Sequence, residues 1–169
     1  MADDPLNTLA RYLLADCFLA VGTEAEAVAQ LRRALELDPD YWVAHFRLGA
    51  LDAVRGSLDE ALASAEHAYR LGPSWTVGLV AAVAARMGDR HRAEELVQQL
   101  RNRRPHGMAG GLTWFYVITG DYGRAQDWLE AMVEERDPWA LVWGRVLFTV
   151  FGSGSLRPRL ARTMNLPTS

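Results

Sequence analysis

The chain has 169 residues, of which 50% are hydrophobic and 23% are charged. This composition excludes a chain that is disordered throughout, and the length suits one domain or one short repeat array. The net charge is -3, from 18 lysine and arginine residues against 21 aspartate and glutamate residues, which argues against binding nucleic acid through bulk positive charge. A single cysteine, Cys17, excludes a disulfide framework and a thiolate zinc site.

Apolar residues at helical spacing predict four helix pairs in chain order, and no segment shows the alternation typical of a strand. The pairs cover residues 6–20 with 24–37, 41–54 with 58–71, 74–86 with 90–102, and 108–118 with 122–135. An unpaired helix is predicted over 138–150 and a short one over 156–164. The sequence therefore predicts an all-α fold.

The first predicted helix, 6–20, is apolar around most of its circumference. Its polar positions are Asn7, Thr8, Arg11 and Asp16. The terminal helix of a repeat array normally exposes a polar outer face. We therefore expect either self-association through this helix or coverage by a segment that precedes it. The alternative is that its apolar residues are packed in the protein core and are only slightly exposed. On such a helix Cys17 is predicted to be a buried, inert thiol.

Three residue types keep one register through four units of the chain. Glycines recur at spacings of 34, 32 and 32 residues, an alanine follows each glycine by five residues, and prolines recur at spacings of 34, 32 and 33. The positions are Gly22, Gly56, Gly88 and Gly120; Ala27, Ala61, Ala93 and Ala125; and Pro39, Pro73, Pro105 and Pro138. The glycines suit left-handed helix ends, the alanines suit close helix crossings, and the prolines end the second helix of each pair. Ser, Thr and Asp residues after each glycine are predicted to cap the following helix.

This pattern resembles the tetratricopeptide repeat, a helix–turn–helix unit of about 34 residues. The segment from Ala34 to Pro39 is typical of such repeats, and the second unit shows the pattern best. Its matching residues are His45, Leu48, Gly49, Gly56, Ala61, Ala65, Ala68 and Pro73. The resemblance implies a right-handed α-solenoid that forms a single domain over 1–169. Its repeats fall at about 8–41, 42–73, 74–105 and 106–138, with a capping helix and tail at 139–169.

The end of the chain adds a second, looser resemblance. The stretch from Glu135 to Trp139, the apolar helix after it and the Arg157–Arg162 segment are similar to the end of repeat regions in large bacterial signalling proteins. This resemblance implies an alternative function, as an assembly or regulatory segment of such a protein that acts through self-association.

The tetratricopeptide resemblance also implies a concave groove that holds a peptide or a helix of a partner protein. The inward-facing positions of the family, carried onto this chain, give nine groove residues: Tyr12, Asp16, Phe46, Arg47, Trp75, Leu79, Arg86, Trp114 and Ile118. Tryptophan and arginine dominate binding hot spots, so we expect these types to contribute most. The alternative is that several of the nine only pack against adjacent helices.

No catalytic or cofactor-binding pattern accompanies the repeats. The four histidines lack metal-ligand spacing, and Gly152 to Ser155 match neither a nucleophile elbow nor a phosphate-binding loop. We therefore expect no enzymatic activity, no cofactor and no metal. The acidic start at Asp3 and Asp4 does not fit a secretory signal, and no apolar stretch reaches the roughly 20 residues of a membrane span. The expected protein is cytoplasmic, binds a protein or peptide, and binds neither nucleic acid nor membrane.

Overall fold

The computed structural model describes residues 5–102 and 107–140, and within these ranges the regular structure is helical, without a strand. The helices are α1 (Pro5–Ala20), α2 (Glu24–Leu37), α3 (Trp42–Arg55), α4 (Leu58–Leu71), α5 (Val77–Arg86), α6 (Arg90–Asn102), α7 (Met108–Thr119) and α8 (Tyr122–Glu134). These bounds confirm the all-α prediction and differ from the expected ones by at most one residue, except at α5. The first turn expected for α5 is instead a 3-10 turn at Ser74–Thr76. Residues 138–140 begin a further helix, and the rest of the predicted capping helix and the 156–164 helix lie outside the described residues.

Consecutive helices pair into four hairpins that stack in chain order. The pairs are α1 with α2, α3 with α4, α5 with α6, and α7 with α8. The main contacts from one hairpin to another involve a first helix, and α3 reaches α5 and also α7. The four first helices, α1, α3, α5 and α7, therefore form the inner layer of a curved stack. This arrangement is the helix–turn–helix stacking expected of a tetratricopeptide-type solenoid.

The recurring alanines and glycines have the structural roles that the sequence predicts. The four alanines are between 0% and 4% exposed, and the backbone of Ala61 lies close against Gly49 of the paired helix α3. The four turn glycines have φ between +80° and +91°, the left-handed region that glycine enters without steric cost. Each hairpin thus turns tightly at a glycine and then packs its second helix closely at an alanine.

The predicted helix caps are only half correct. Asp89 Oδ1 accepts a hydrogen bond from the backbone N–H of Arg92, and Asp121 Oδ1 accepts one from Arg124, both at 3.1 Å. Thr23 and Ser57 make no side-chain cap. The Thr23 hydroxyl instead donates to the Phe18 carbonyl at 3.1 Å. It therefore pairs with a carbonyl near the end of α1 and not with an N–H group at the start of α2.

The third and fourth hairpins approach each other through glycines. A Cβ added at Gly78 on α5 would overlap the backbone of Gly111 on α7. A Cβ at Gly111 would come within 2.7 Å of the Trp75 carbonyl oxygen. The two helices are therefore in backbone contact, which only the absence of side chains permits. None of the described helices is long and apolar enough to cross a membrane.

Candidate functional site

The inner layer carries all nine residues predicted for the groove, but most of them are buried inside it. Seven are buried: Tyr12, Phe46, Arg47, Trp75, Leu79, Trp114 and Ile118. The Asp16 side chain is 13% exposed, and Arg86 is the one exposed member of the nine. The structure thus joins six of the nine through direct contacts, namely Tyr12, Asp16, Phe46, Arg47, Trp75 and Trp114, whereas Arg86 lies apart from them. The contribution of the nine residues to partner binding stays a prediction.

Arg47 is the centre of a buried ion-pair network between α1 and α3. Its Nε lies 3.1 Å from Asp16 Oδ1, and its Nη2 donates to Asp16 Oδ2 at 3.2 Å. Nη2 also lies 3.5 Å from the Tyr12 hydroxyl oxygen. The guanidinium carbon is 5.4 Å from the centre of the Trp114 ring, a cation–π distance that ties α3 to α7. One arginine therefore links three of the four hairpins.

The network has electrostatic consequences for its members. Burial by itself lowers the pKa of Arg47, but Tyr12 and Asp16 outweigh burial, so the pKa is raised and the side chain stays charged. Burial raises the pKa of Tyr12 to about 12, and the Asp16 carboxylate adds to that shift, while Arg47 opposes it. The stable form of the network at neutral pH is a neutral phenol beside a charged pair.

Aromatic rings form a continuous cluster next to this network. The Phe46 ring centre lies 5.1 Å from that of Trp75 and 5.2 Å from that of Trp114, both edge to face. Trp42 lies 5.7 Å from Trp75, and Trp139 lies 6.0 Å from Trp42 and 6.3 Å from Trp75. Such edge-to-face pairs are favourable beyond their buried area. The cluster joins α3, the 3-10 turn before α5, α7 and the start of the helix at 138–140.

Trp42 and Trp139 belong to this cluster although they were not among the predicted groove residues. Each follows a repeat proline by one to three residues, as Trp75 follows Pro73. A search for aromatic residues just after each proline could therefore have found both. Their side chains are partly exposed, which makes them more accessible than the buried Trp114.

A cleft of about 640 Å³ opens beside Trp75 and Trp139. Its walls come from the connections between hairpins, with Pro73 before α5 and Gly107 before α7. Glu135, Arg136, Asp137 and Pro138 complete its lining. The cleft therefore combines two indole rings with charged groups of both signs.

Arg86, on the last turn of α5, lies at the other end of the inner layer. Its Nη1 donates to the backbone carbonyl of Ala53, in the last turn of α3. A cation suits this position because the carbonyls at a helix C-terminus carry partial negative charge. Arg86 is nevertheless exposed, so part of its side chain faces solvent.

One face of α1 is apolar and exposed. Leu9, Leu13 and Leu14 are 42–49% exposed, and Val21, just beyond the helix, is 73% exposed. Cys17 is exposed as well, so the prediction of a buried thiol is wrong. The cause is helical geometry: Tyr12 and Ala15 face the core, and Cys17, two residues after Ala15, lies about 200° away around the helix.

These features define a class of protein. The described residues form stacked helical hairpins, and no three of their His, Cys, Asp or Glu side chains are placed to hold a metal ion. The class is that of helical repeat proteins, in which each unit is stabilised by its neighbours. Residues 9–51 match the family model of the tetratricopeptide repeat. This match and the stacked hairpins support a tetratricopeptide repeat protein, and repeats of this family are generally protein–protein interaction modules and typically non-catalytic.

Proposed function

We propose that the protein is a non-catalytic interaction module that binds a peptide or a helix of a partner protein along the inner layer. The observation that carries this proposal is the cleft beside Trp75 and Trp139, about 640 Å³ in volume. It adjoins the aromatic cluster, and its apolar wall suits an aliphatic or aromatic side chain of a partner. Tryptophan is among the residues most enriched in binding hot spots.

The charged residues around the inner layer would orient the bound segment. Glu135, Arg136 and Asp137 line the rim of the cleft, and the exposed Arg86 lies at the end of α5. Arg47, in contrast, is 2% exposed and paired with Asp16. We therefore propose that Arg86 and Arg136 set the orientation of the bound segment, and that Arg47 stabilises the inner layer.

The test uses a partner isolated on the immobilised protein and then purified for titration calorimetry. Arg136→Gly removes the rim side chain while relieving a left-handed residue with φ +56°, so the fold should not suffer. We expect this variant and Arg86→Ala each to weaken binding about tenfold, or about 1.4 kcal/mol. Arg33→Ala, at an exposed position of α2, is the matched control. Equal affinity of the wild type and both variants would refute the inner layer as the binding surface.

The second candidate is the alternative that the end of the sequence implies: an assembly or regulatory segment of a larger bacterial signalling protein, acting through self-association. The exposed leucines of α1 favour it, since exposed apolar patches mark association surfaces. The only charged side chains among the described residues of α1 are engaged inside the molecule: Arg11 donates to Gln30 at 2.9 Å, and Asp16 pairs with Arg47. Two copies could therefore pack α1 against α1 without opposing like charges.

Sedimentation velocity tests this second candidate. If α1 mediates self-association, the wild type should form a dimer or larger assembly at high micromolar concentration. Leu9→Glu with Leu13→Glu should return it to a monomer. Leu71→Glu, at a leucine of α4 that is 41% exposed, should leave the assembly intact. A wild-type chain that stays monomeric would rule out α1 as an association surface.

A further inference from the structure

A second groove lies on the other side of the third and fourth hairpins, between α6 and α7. It has a volume of about 330 Å³. Ala85, Val97 and Phe115, all partly exposed, contribute an apolar floor. Arg90 and Arg101 stand at its two ends, and this groove is distinct from the cleft beside Trp139.

The close packing of α5 on α7 explains why the groove exists. Because Gly78 and Gly111 allow backbone contact, α7 packs extensively on α5 and only sparsely on α6. Phe115, on the side of α7 that faces α6, is therefore left partly exposed. The groove is thus built from the fixed geometry of three helices and does not depend on a loop.

The two arginines have no ion-pair partner among the described residues, and local helix stability does not explain both. Arg101 lies in the last turn of α6, where a cation is favourable. Arg90 lies in the first turn, where a cation opposes the helix dipole, and that turn holds no acidic residue. The neighbouring Arg92 is engaged with Glu66 of α4. Among the described residues of the lining Glu94 is the one carboxylate, against two arginines, so this part of the groove carries a net positive charge.

We infer that this groove binds an acidic segment of another protein, with an apolar side chain on its floor and carboxylates at Arg90 and Arg101. The two arginines are separated by about 16 Å along the axis of α6, from the rise of 1.5 Å per residue. A helical segment of about twelve residues with carboxylates near both ends spans that distance. Charge complementarity selects an acidic partner over a basic one.

The experiment titrates the full chain, labelled with ¹⁵N, with a synthetic helical probe of about twelve residues that has glutamate at both ends and leucine at its centre. We expect chemical-shift changes at Ala85, Val97 and Phe115, and an affinity that falls as salt rises. A matched probe with lysine in place of glutamate should not bind. Arg90→Glu with Arg101→Glu should weaken the acidic probe at least tenfold and gain affinity for the lysine probe.

A charge-matched variant distinguishes binding in the groove from nonspecific electrostatic attraction. Arg32→Glu with Arg33→Glu changes the net charge equally at exposed positions of α2 and should bind like the wild type. Circular dichroism of each variant checks the fold, and Arg90→Glu alone should not lower the melting temperature because it places an acid in the first turn. Three results would overturn the inference: no binding of the acidic probe at millimolar concentration, shifts confined to the inner layer, or equal weakening by the α2 variant.

Discussion

The junction between the first two hairpins is formed by charged and polar side chains, whereas the junction between the last two is formed by direct backbone contact at glycines. Arg47 of α3 reaches Asp16 and Tyr12 of α1, and Arg55 of α3 pairs with Glu24 of α2 at 2.5 Å. In the other junction, Gly78 and Gly111 bring α5 and α7 into direct contact. The same repeat geometry is therefore reached through two kinds of interaction, with different sensitivities to pH and to substitution.

The largest loss of stability is expected when the charged junction loses one member of the Asp16–Arg47 ion pair. Asp16→Ala leaves the Arg47 guanidinium buried and without its carboxylate, which should lower the free energy of unfolding by about 3–4 kcal/mol. Chemical denaturation measures this change. Adding Arg47→Met should restore much of the loss, because an apolar side chain of similar length needs no counter-charge. A loss below about 1 kcal/mol for Asp16→Ala would mean that the ion pair does not hold this junction.

The glycine junction should instead be destabilised by a single added methyl group. Gly78→Ala forces α5 and α7 apart and should cost about 2–3 kcal/mol, although alanine is the better helix former. Gly123→Ala is the control, because a Cβ there would meet only Asp121 Oδ1, at 3.7 Å. It should be neutral or slightly stabilising. If both variants unfold at the same denaturant concentration, the backbone contact is unimportant.

Alkaline pH should weaken the charged junction and leave the glycine junction unaffected. The pKa of Tyr12 is raised from 10.0 to about 12, so the unfolded chain ionises first. Stability from this group is complete below pH 10 and is lost as pH rises from about 10 to about 12, by about 2–3 kcal/mol. Denaturation at several pH values measures the loss, and Tyr12→Phe should reduce it. The same pH dependence in that variant would assign the effect to other groups.

A smaller effect is expected in acid, at the connection between the first two hairpins. His45 Nε2 donates to the Pro39 carbonyl at 2.8 Å, and its ring lies 4.0 Å from that of His67. Burial lowers the pKa of His45 below 6.5; His67 and Arg70 add to this shift, whereas the Pro39 carbonyl and Asp40 oppose it. The stability that neutral His45 provides is therefore present above pH 6.5 and lost as pH falls through its folded-state pKa.

Proton NMR of the histidine rings checks this last prediction, because His45 should titrate below 6.5 in the folded chain. Replacing His45 with glutamine should remove that part of the acid dependence while keeping a donor near Pro39. A His45 resonance that titrates at or above 6.5 would contradict the assignment.

The sequence predicted the helices well because their signals are local. Glycine, alanine and proline positions in register specify the turn, the close crossing and the end of each unit, as Gly56, Ala61 and Pro73 show in the second hairpin. The curvature of the stack is not local. It brings Phe46 of α3 onto Trp114 of α7, two hairpins away, and no spacing within one repeat encodes that contact.

The same limit applies to the candidate site. Inward-facing positions could be assigned from the repeat, but whether an inward side chain stays open or becomes buried depends on contacts across hairpins. Arg47 fits a groove residue by position, yet in the folded chain it is engaged with Asp16. The orientation of Cys17 was missed for a related reason, since an almost wholly apolar helix gives no polar face from which to predict its rotation.

Site-specific photo-crosslinking in the source cells tests the central proposal most directly. A benzophenone amino acid is placed at Arg86 or Arg136 on the inner side, or at Arg33 on α2 as the outer control. A partner that occupies the inner layer should crosslink at Arg86 and Arg136, on a single segment of one protein, and not at Arg33. Crosslinks from Arg33 alone, or none at either inner position while the partner still co-purifies, would contradict binding along the inner layer.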